Sequence, residues 1–265
     1  MARLIEFTNK RGEILRGIID EADSDRSIIF LHGFERTTVE PKFKNFIDRM
    51  KGRATLFRLD FAGTGLSDGN FSTTTIEFMR DDLESAILVL SAQYPKIKRF
   101  DLVAHSLGAV VAVVYTREFS DKIGKIVALA PALNQKDLQR FWYVKSSLKN
   151  SNPEIAVTWE NYADYLDENV FYEYCRQNRE VAAHNLGSNL CQEVEGTDFQ
   201  ILLDEQIASK LLIIHSQNDE VVPIVSNNQL PPDIQMISLT DGKHDLEKPS
   251  VVQQYLKQAV DFLEG

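Results

Sequence analysis

Two periodicities alternate along the chain. Short runs rich in apolar residues at 27–31, 55–60, 99–105, 125–130, 210–215 and 234–239 read as strands, and 27–31 has the continuous hydrophobicity of one buried on both faces. Between them lie stretches spaced i, i+3, i+4, i+7, as in amphipathic helices. Phe43, Phe46, Ile47 and Met50 mark one within 41–51, and Ile76, Met79, Leu83, Ile87 and Leu90 mark another over 76–93. An apolar helix runs from Val110 to about 119, and a short one is expected near 223–229. A last helix over 247–263 follows Asp245, a candidate cap, and buries Val252, Tyr255, Leu256, Ala259, Val260, Phe262 and Leu263. Ahead of them, 3–8 and 13–19 flank Asn9-Lys10-Arg11-Gly12 and read as a β-hairpin. The pattern predicts an α/β fold with a mostly parallel sheet flanked by helices.

The alternation stops after Pro131 and resumes near Lys210. The intervening 134–206 holds ten of the chain's 25 aromatic residues, too many for a disordered loop. It is therefore expected to fold as an inserted cap on a core made of 1–133 and 207–265. Within it, 135–148 reads as helix, 162–175 as a short hairpin or helix, and 179–191 is compatible with helix as far as Gly187. Most of its aromatics should pack the cap onto the core, with a few left to line a pocket.

Composition narrows the function. A net charge of −10 and the absence of clustered Lys and Arg exclude a nucleic-acid partner. No stretch approaches the roughly 20 apolar residues of a membrane span. The N-terminus enters a strand without the apolar core of a signal peptide, so a cytoplasmic protein with no membrane partner is expected. Cys175 and Cys191 then read as free thiols, and their spacing fits no zinc pattern. The oligomeric state stays open, a homodimer included.

Candidate chemistry concentrates where the strand Phe100-Asp101-Leu102-Val103 turns through Ala104-His105-Ser106-Leu107-Gly108 into a helix. A serine at such a corner is held out at the top of the sheet in a strained conformation, so the positions two before and two after it must be small. Here they are Ala104 and Gly108. The plain alternative is a βα turn whose serine caps a helix.

The five residues resemble the G-x-S-x-G elbow of the α/β-hydrolase family, with Ala for the first Gly. The resemblance extends over nearly the whole chain and is weakest in the cap. It implies an eight-stranded, mostly parallel sheet and a serine nucleophile, Ser106. A serine hydroxyl needs a histidine base oriented by a carboxylate, and in this family they follow in the order Ser, acid, His. The loop Ser216-Gln217-Asn218-Asp219 after strand 210–215 then supplies Asp219. Asp241-Gly242-Lys243-His244 after strand 234–239 supplies His244. The oxyanion hole is implied to be the backbone N–H groups of Leu107 and of Phe34, the latter in His32-Gly33-Phe34.

The loop from Asp60 to Gly69 is similar to the family's D-x-x-G-x-G-x-S, with Thr64 where histidine is frequent. It lacks the spacing of a dinucleotide or P-loop motif, so Asp60 and Asp68 are expected to be structural. Among the other histidines, His105, His32 and His215 are expected to be buried supports and His184 a surface residue of the cap. No pair has metal-ligand spacing, so neither a metal nor a cofactor is expected.

These features resemble most the carboxylesterases of the cinnamoyl or feruloyl type. The resemblance implies a small-molecule ester substrate cleaved through an acyl-enzyme. The same triad would serve a thioesterase, a monoacylglycerol lipase or a peptidase. A catalytically idle binding module is the alternative of another class.

Overall fold

In the computed structural model, which describes residues 2–181 and 184–265, ten strands form. They are β1 (Ala2–Thr8), β2 (Ile14–Asp20), β3 (Arg26–Leu31), β4 (Thr55–Asp60), β5 (Arg99–His105), β6 (Ile123–Leu129), β7 (Arg179–Val181), β8 (His184–Leu186), β9 (Leu211–Ser216) and β10 (Gln235–Leu239). Eight make one sheet in the order β1-β2-β4-β3-β5-β6-β9-β10, and β7 pairs with β8 apart from it. The β1–β2 and β2–β4 pairs are antiparallel, and the other neighbours in the large sheet are parallel. The main sheet and its hairpin thus follow the expected pattern.

Helices cover both faces, as parallel strands require. α1 (Pro41–Met50) and α8 (Pro249–Glu264) pack on one face, and α2 (Ile76–Gln93) and α3 (Leu107–Glu118) pack on the other. Successive strand residues point to opposite faces. Ile29 and Leu31 of β3 accordingly join the α2/α3 side, while Ile28 and Phe30 join the α1/α8 side. α8 starts later than Asp245 would place it, because Leu246 takes φ 55° and Pro249 opens the helix behind Lys248. The helix expected near 223–229 is a single 3₁₀ turn, Ile224–Ser226. Asn227 ends it by donating from Nδ2 to the Pro131 carbonyl at 2.9 Å.

Between β6 and β9 lie α4 (Gln135–Ser151), α5 (Glu168–Arg176), the β7–β8 hairpin, α6 (Asn189–Glu195) and α7 (Glu205–Ala208). α5 starts on the Asp167 side chain, which accepts from the N–H groups of Asn169 and Val170. The helix read over 179–191 is not formed: its first part is the hairpin. Gly187 donates to the Ser72 carbonyl at 2.9 Å, and a Cβ there would collide with that oxygen. This anchor to the core outweighs the weak local preference for helix.

The cysteines also differ from expectation. Cys175 of α5 and Cys191 of α6 are joined as a disulfide, with their Cα atoms 5.8 Å apart. The two helices close on Phe171, which brings together side chains whose spacing shows no pairing. The expectation of free thiols, which followed from the expected cytoplasmic setting, is thereby overturned. Among the described residues no helix is long and apolar enough to cross a membrane.

Candidate active site

β5 ends at His105 and the chain reverses through Ser106, at φ 53° and ψ −117°. Few side chains tolerate this region, and the surroundings impose it. The Ser106 N–H donates to the Leu129 carbonyl at 2.9 Å, and its carbonyl accepts from Ala109 at 3.1 Å and Ala132 at 3.3 Å. α3 leaves so close to β3 that a Cβ on Gly108 would lie 2.5 Å from the His32 carbonyl oxygen and 2.6 Å from that of Leu31. Both obstacles are backbone. Gly108→Ala should therefore cost about 1–3 kcal/mol by overpacking, read as a lowered urea midpoint; an unchanged midpoint would refute the close approach.

α3 begins at Leu107, whose N–H has no acceptor within the helix. The Phe34 N–H, in the turn after β3, is also without an acceptor among the described residues. Both residues line the cavity that Ser106 lines.

Asp219 leaves β9 into a tight turn in which every carboxylate lone pair is used. Oδ1 accepts from the N–H groups of Val221 at 2.9 Å and Val222 at 2.8 Å. Oδ2 accepts from His244 Nδ1 at 2.9 Å and lies 3.3 Å from His215 Nε2. Burial pushes this carboxyl up, but the bonds from His215, His244 and Val222 outweigh it and hold it below the ordinary carboxylate range. His215 Nε2 also faces the Val222 carbonyl at 2.8 Å. Both partners are acceptors, so Nε2 carries the hydrogen. His215 is thus a second donor to the acid.

His244 follows Gly242 (φ 135°) and Lys243 (φ 51°), which swing its ring to the cavity. The structure brings Ser106 and His244 to that one cavity without a hydrogen bond between the hydroxyl and the ring, as is common in sites without substrate. His105 Nε2 donates to the His244 carbonyl at 3.1 Å. Burial, followed by the nearby Lys42 and His244, holds His105 well below its usual range and therefore neutral. Below it, fully buried Lys42 bridges Glu40 at 2.8 Å and Glu247 at 2.9 Å. His32 accepts from the Phe61 N–H at 3.2 Å. Asp60 accepts from Thr38 and Leu66 N–H at 2.7 and 2.9 Å, and Asp68 pairs with Arg16 at 2.5 Å; both have structural work. The His184 side chain lies outside what the structure describes.

The cavity has a volume of about 320 Å³. Phe34 and Leu107 form its core side, and Trp142, Tyr143, Tyr174 and Leu186 come from the insert. Phe141, Phe171 and Phe199 of the insert are buried in packing instead. α4 is tied to the acid loop: the Trp142 indole N–H donates to the Val221 carbonyl at 2.7 Å, and Lys145 Nζ donates to that of Glu220 at 3.0 Å. Gln135, Gln139 and Arg179 also line the cavity. Sequence reasoning passed over all three, since isolated polar residues in an irregular segment carry no period or motif. The only available signal for Arg179 was a cation among clustered aromatics.

The model of a hydrolase family described as serine aminopeptidase, S33, matches residues 22–243. A probable lysophospholipase of Arabidopsis thaliana, BODYGUARD 1, is 30% identical over 112 residues, which are 41% of this chain and 23% of that protein. The alignment thus spans about a quarter of that relative's length. Among solved structures, esterase Pf2001 of Pyrococcus furiosus superposes with a TM-score of 0.70 at 19% identity, over 100% of this chain and 90% of that one. Est1E of Butyrivibrio proteoclasticus superposes with a TM-score of 0.72 at 13% identity, over 99% of both chains. It has also been solved with ferulic acid bound.

Proposed function

We propose, for a chain that belongs to the serine aminopeptidase (S33) family of hydrolases and has the α/β-hydrolase fold, that Ser106, His244 and Asp219 hydrolyse carboxylic esters through an acyl-enzyme. The observation that carries this reading is the 2.9 Å bond from His244 Nδ1 to a fully bonded Asp219, with the His244 ring on the cavity that Ser106 lines. The carboxylate leaves Nε2 of His244 free to take the Ser106 proton as the hydroxyl attacks the ester carbonyl. The Phe34 and Leu107 N–H groups receive the oxyanion. His244 returns the proton to the leaving alcohol, then activates water to release the acid.

Residues 134–206 act as the cap that shapes the substrate side of this site, over a core of 1–133 and 207–265. An ester is favoured over the substrate of an aminopeptidase. A free α-ammonium needs a carboxylate to receive it, and none of the described residues lining the cavity is Asp or Glu. The aromatic wall of Phe34, Trp142, Tyr143 and Tyr174 suits a planar acyl group, in keeping with the aryl-acrylic reading.

Two measurements test this function. A fluorophosphonate probe should label the protein at Ser106. In a panel of aryl-acrylic methyl esters, short aliphatic esters and one thioester, the aryl-acrylic ester should lead by tenfold or more in kcat/KM, or about 1.4 kcal/mol of transition-state discrimination. A lead for short aliphatic esters would discard the aryl-acrylic part alone. Absence of labelling would discard the nucleophile.

A further inference from the structure

One cation in the cavity has no hydrogen-bond partner for its side chain among the described residues. Arg179 lies on β7, opposite Leu186 of β8, and only 8% of its surface is exposed. Its Nε and Nη2 are buried without a hydrogen-bond partner among the described residues. Its guanidinium lies 4.6 Å from the centre of the Tyr174 ring, which occupies a face and leaves the in-plane N–H groups unmet. The other cation on the cavity, Arg36, is half-exposed and already paired with Asp245 at 3.0 Å.

Burying an unpaired guanidinium is costly, and proteins ordinarily place a carboxylate against it. Here there is none among the described residues, in a chain whose net charge is −10 and which has acids in excess elsewhere. Arg140, also between β6 and β9, shows the ordinary arrangement: it is more buried still and is held by Glu168 and Glu195 at 3.0 and 2.5 Å. Among the described residues lining the cavity there is no Asp or Glu. The hairpin that carries it is anchored to the core through Gly187, so the side chain is not placed there by a loose loop.

We infer that Arg179 is an anion receptor, and that the ester cleaved at Ser106 carries a carboxylate or phosphate group that this guanidinium holds in the cavity. The planar fork matches either oxyanion through two parallel N–H bonds. Binding would supply the missing partner for a charge already desolvated, so little further desolvation of the protein is required. The inference rests on the reading of Ser106 as nucleophile and narrows its substrate. Arg179 contributes binding and specificity rather than bond making.

The test compares esters that differ only in charge. One pair places the anion on the acyl side: 4-nitrophenyl hemiglutarate against its methyl ester. The other places it on the leaving side: 1-butyrylglycerol 3-phosphate against 1-butyrylglycerol. The wild-type protein should favour the charged member of at least one pair by tenfold or more in kcat/KM, and the pair that responds identifies carboxylate or phosphate. In Arg179→Gln the charged-to-neutral ratio should fall to near one, and Arg179→Lys should restore part of it. Thermal melts of both variants report whether they fold. Equal or better use of both neutral members by the wild type overturns the inference without any variant, as does a preference that survives in Arg179→Gln.

The same four esters are titrated calorimetrically into Ser106→Ala, which binds without turnover. Charge-selective binding there with no fluorophosphonate labelling of the wild type would sink the nucleophile and keep the receptor. Labelling with charge-blind binding would do the reverse.

Discussion

On the proposed mechanism, Ser106→Ala should lower kcat for every ester the protein turns over by roughly 10⁴–10⁶, the range set by removing one member of a unit that acts together. What remains would come from the proposed oxyanion donors and from binding, which the substitution leaves in place. The fold should not notice. The Ser106 hydroxyl makes no hydrogen bond to His244, and the backbone bonds that hold φ at 53° belong to its N–H and carbonyl. Alanine bears the same strain as serine, so the unfolding free energy should change by less than about 1 kcal/mol. Turnover is followed by product release under single-turnover conditions and stability by urea denaturation. Undiminished hydrolysis by the folded variant would remove Ser106 from the chemistry.

Asp219→Asn should cost about 10⁴ in kcat, through the tautomer of its partner rather than through geometry. The amide oxygen can still accept from Val221 and Val222. The amide nitrogen then faces two ring N–H groups, those of His244 and His215, where the carboxylate accepted both. His244 can answer only by moving its hydrogen to Nε2, the atom that the proposed mechanism needs bare to take the serine proton. His215 has the same conflict while tied to the Val222 carbonyl, so a stability loss of about 1–3 kcal/mol accompanies the loss of rate.

The pH dependence has a definite sign. Because the folded state holds the Asp219 carboxyl below its unfolded value near 3.9, its contribution is complete above that value and fades as pH falls below it. Wild type and variant should converge in stability toward strong acid. A gap that persists there, or a kcat within tenfold of wild type, would contradict this account of the acid.

The turn at Ser106 and the loops that carry Asp219 and His244 could all be located from sequence for one reason. Each is a short local solution to a steric or chemical demand: small residues beside Ser106, an acid just past β9, a histidine just past β10. The sheet was legible because its inner strands are mostly apolar and its first two strands alternate, and the core helices because their apolar positions repeat. The insert was not, since long-range contacts decide it. A run of helix-compatible residues became a hairpin because Gly187 bonds to Ser72, and two cysteines met because α5 and α6 close on Phe171. His215 reads as an ordinary strand-end residue until its ring is seen donating toward Asp219. Arg179 is conspicuous only for the partner it lacks, which no linear reading can display.

Trp142 serves two parts of the molecule at once. Its ring lines the cavity that Ser106 lines, and its indole N–H holds the Val221 carbonyl in the turn whose Val221 and Val222 N–H groups bind Asp219 Oδ1. Enlarging the cavity here by a smaller residue also releases a restraint on the acid. Drift toward bulkier substrates along this wall therefore has a toll in rate, and a lineage or a laboratory selection that widened it would need a compensating change in the acid turn. Tyr143, Tyr174 and Leu186 line the same space without a bond to that turn. They are the positions at which this scaffold can explore new substrates while leaving its chemistry alone.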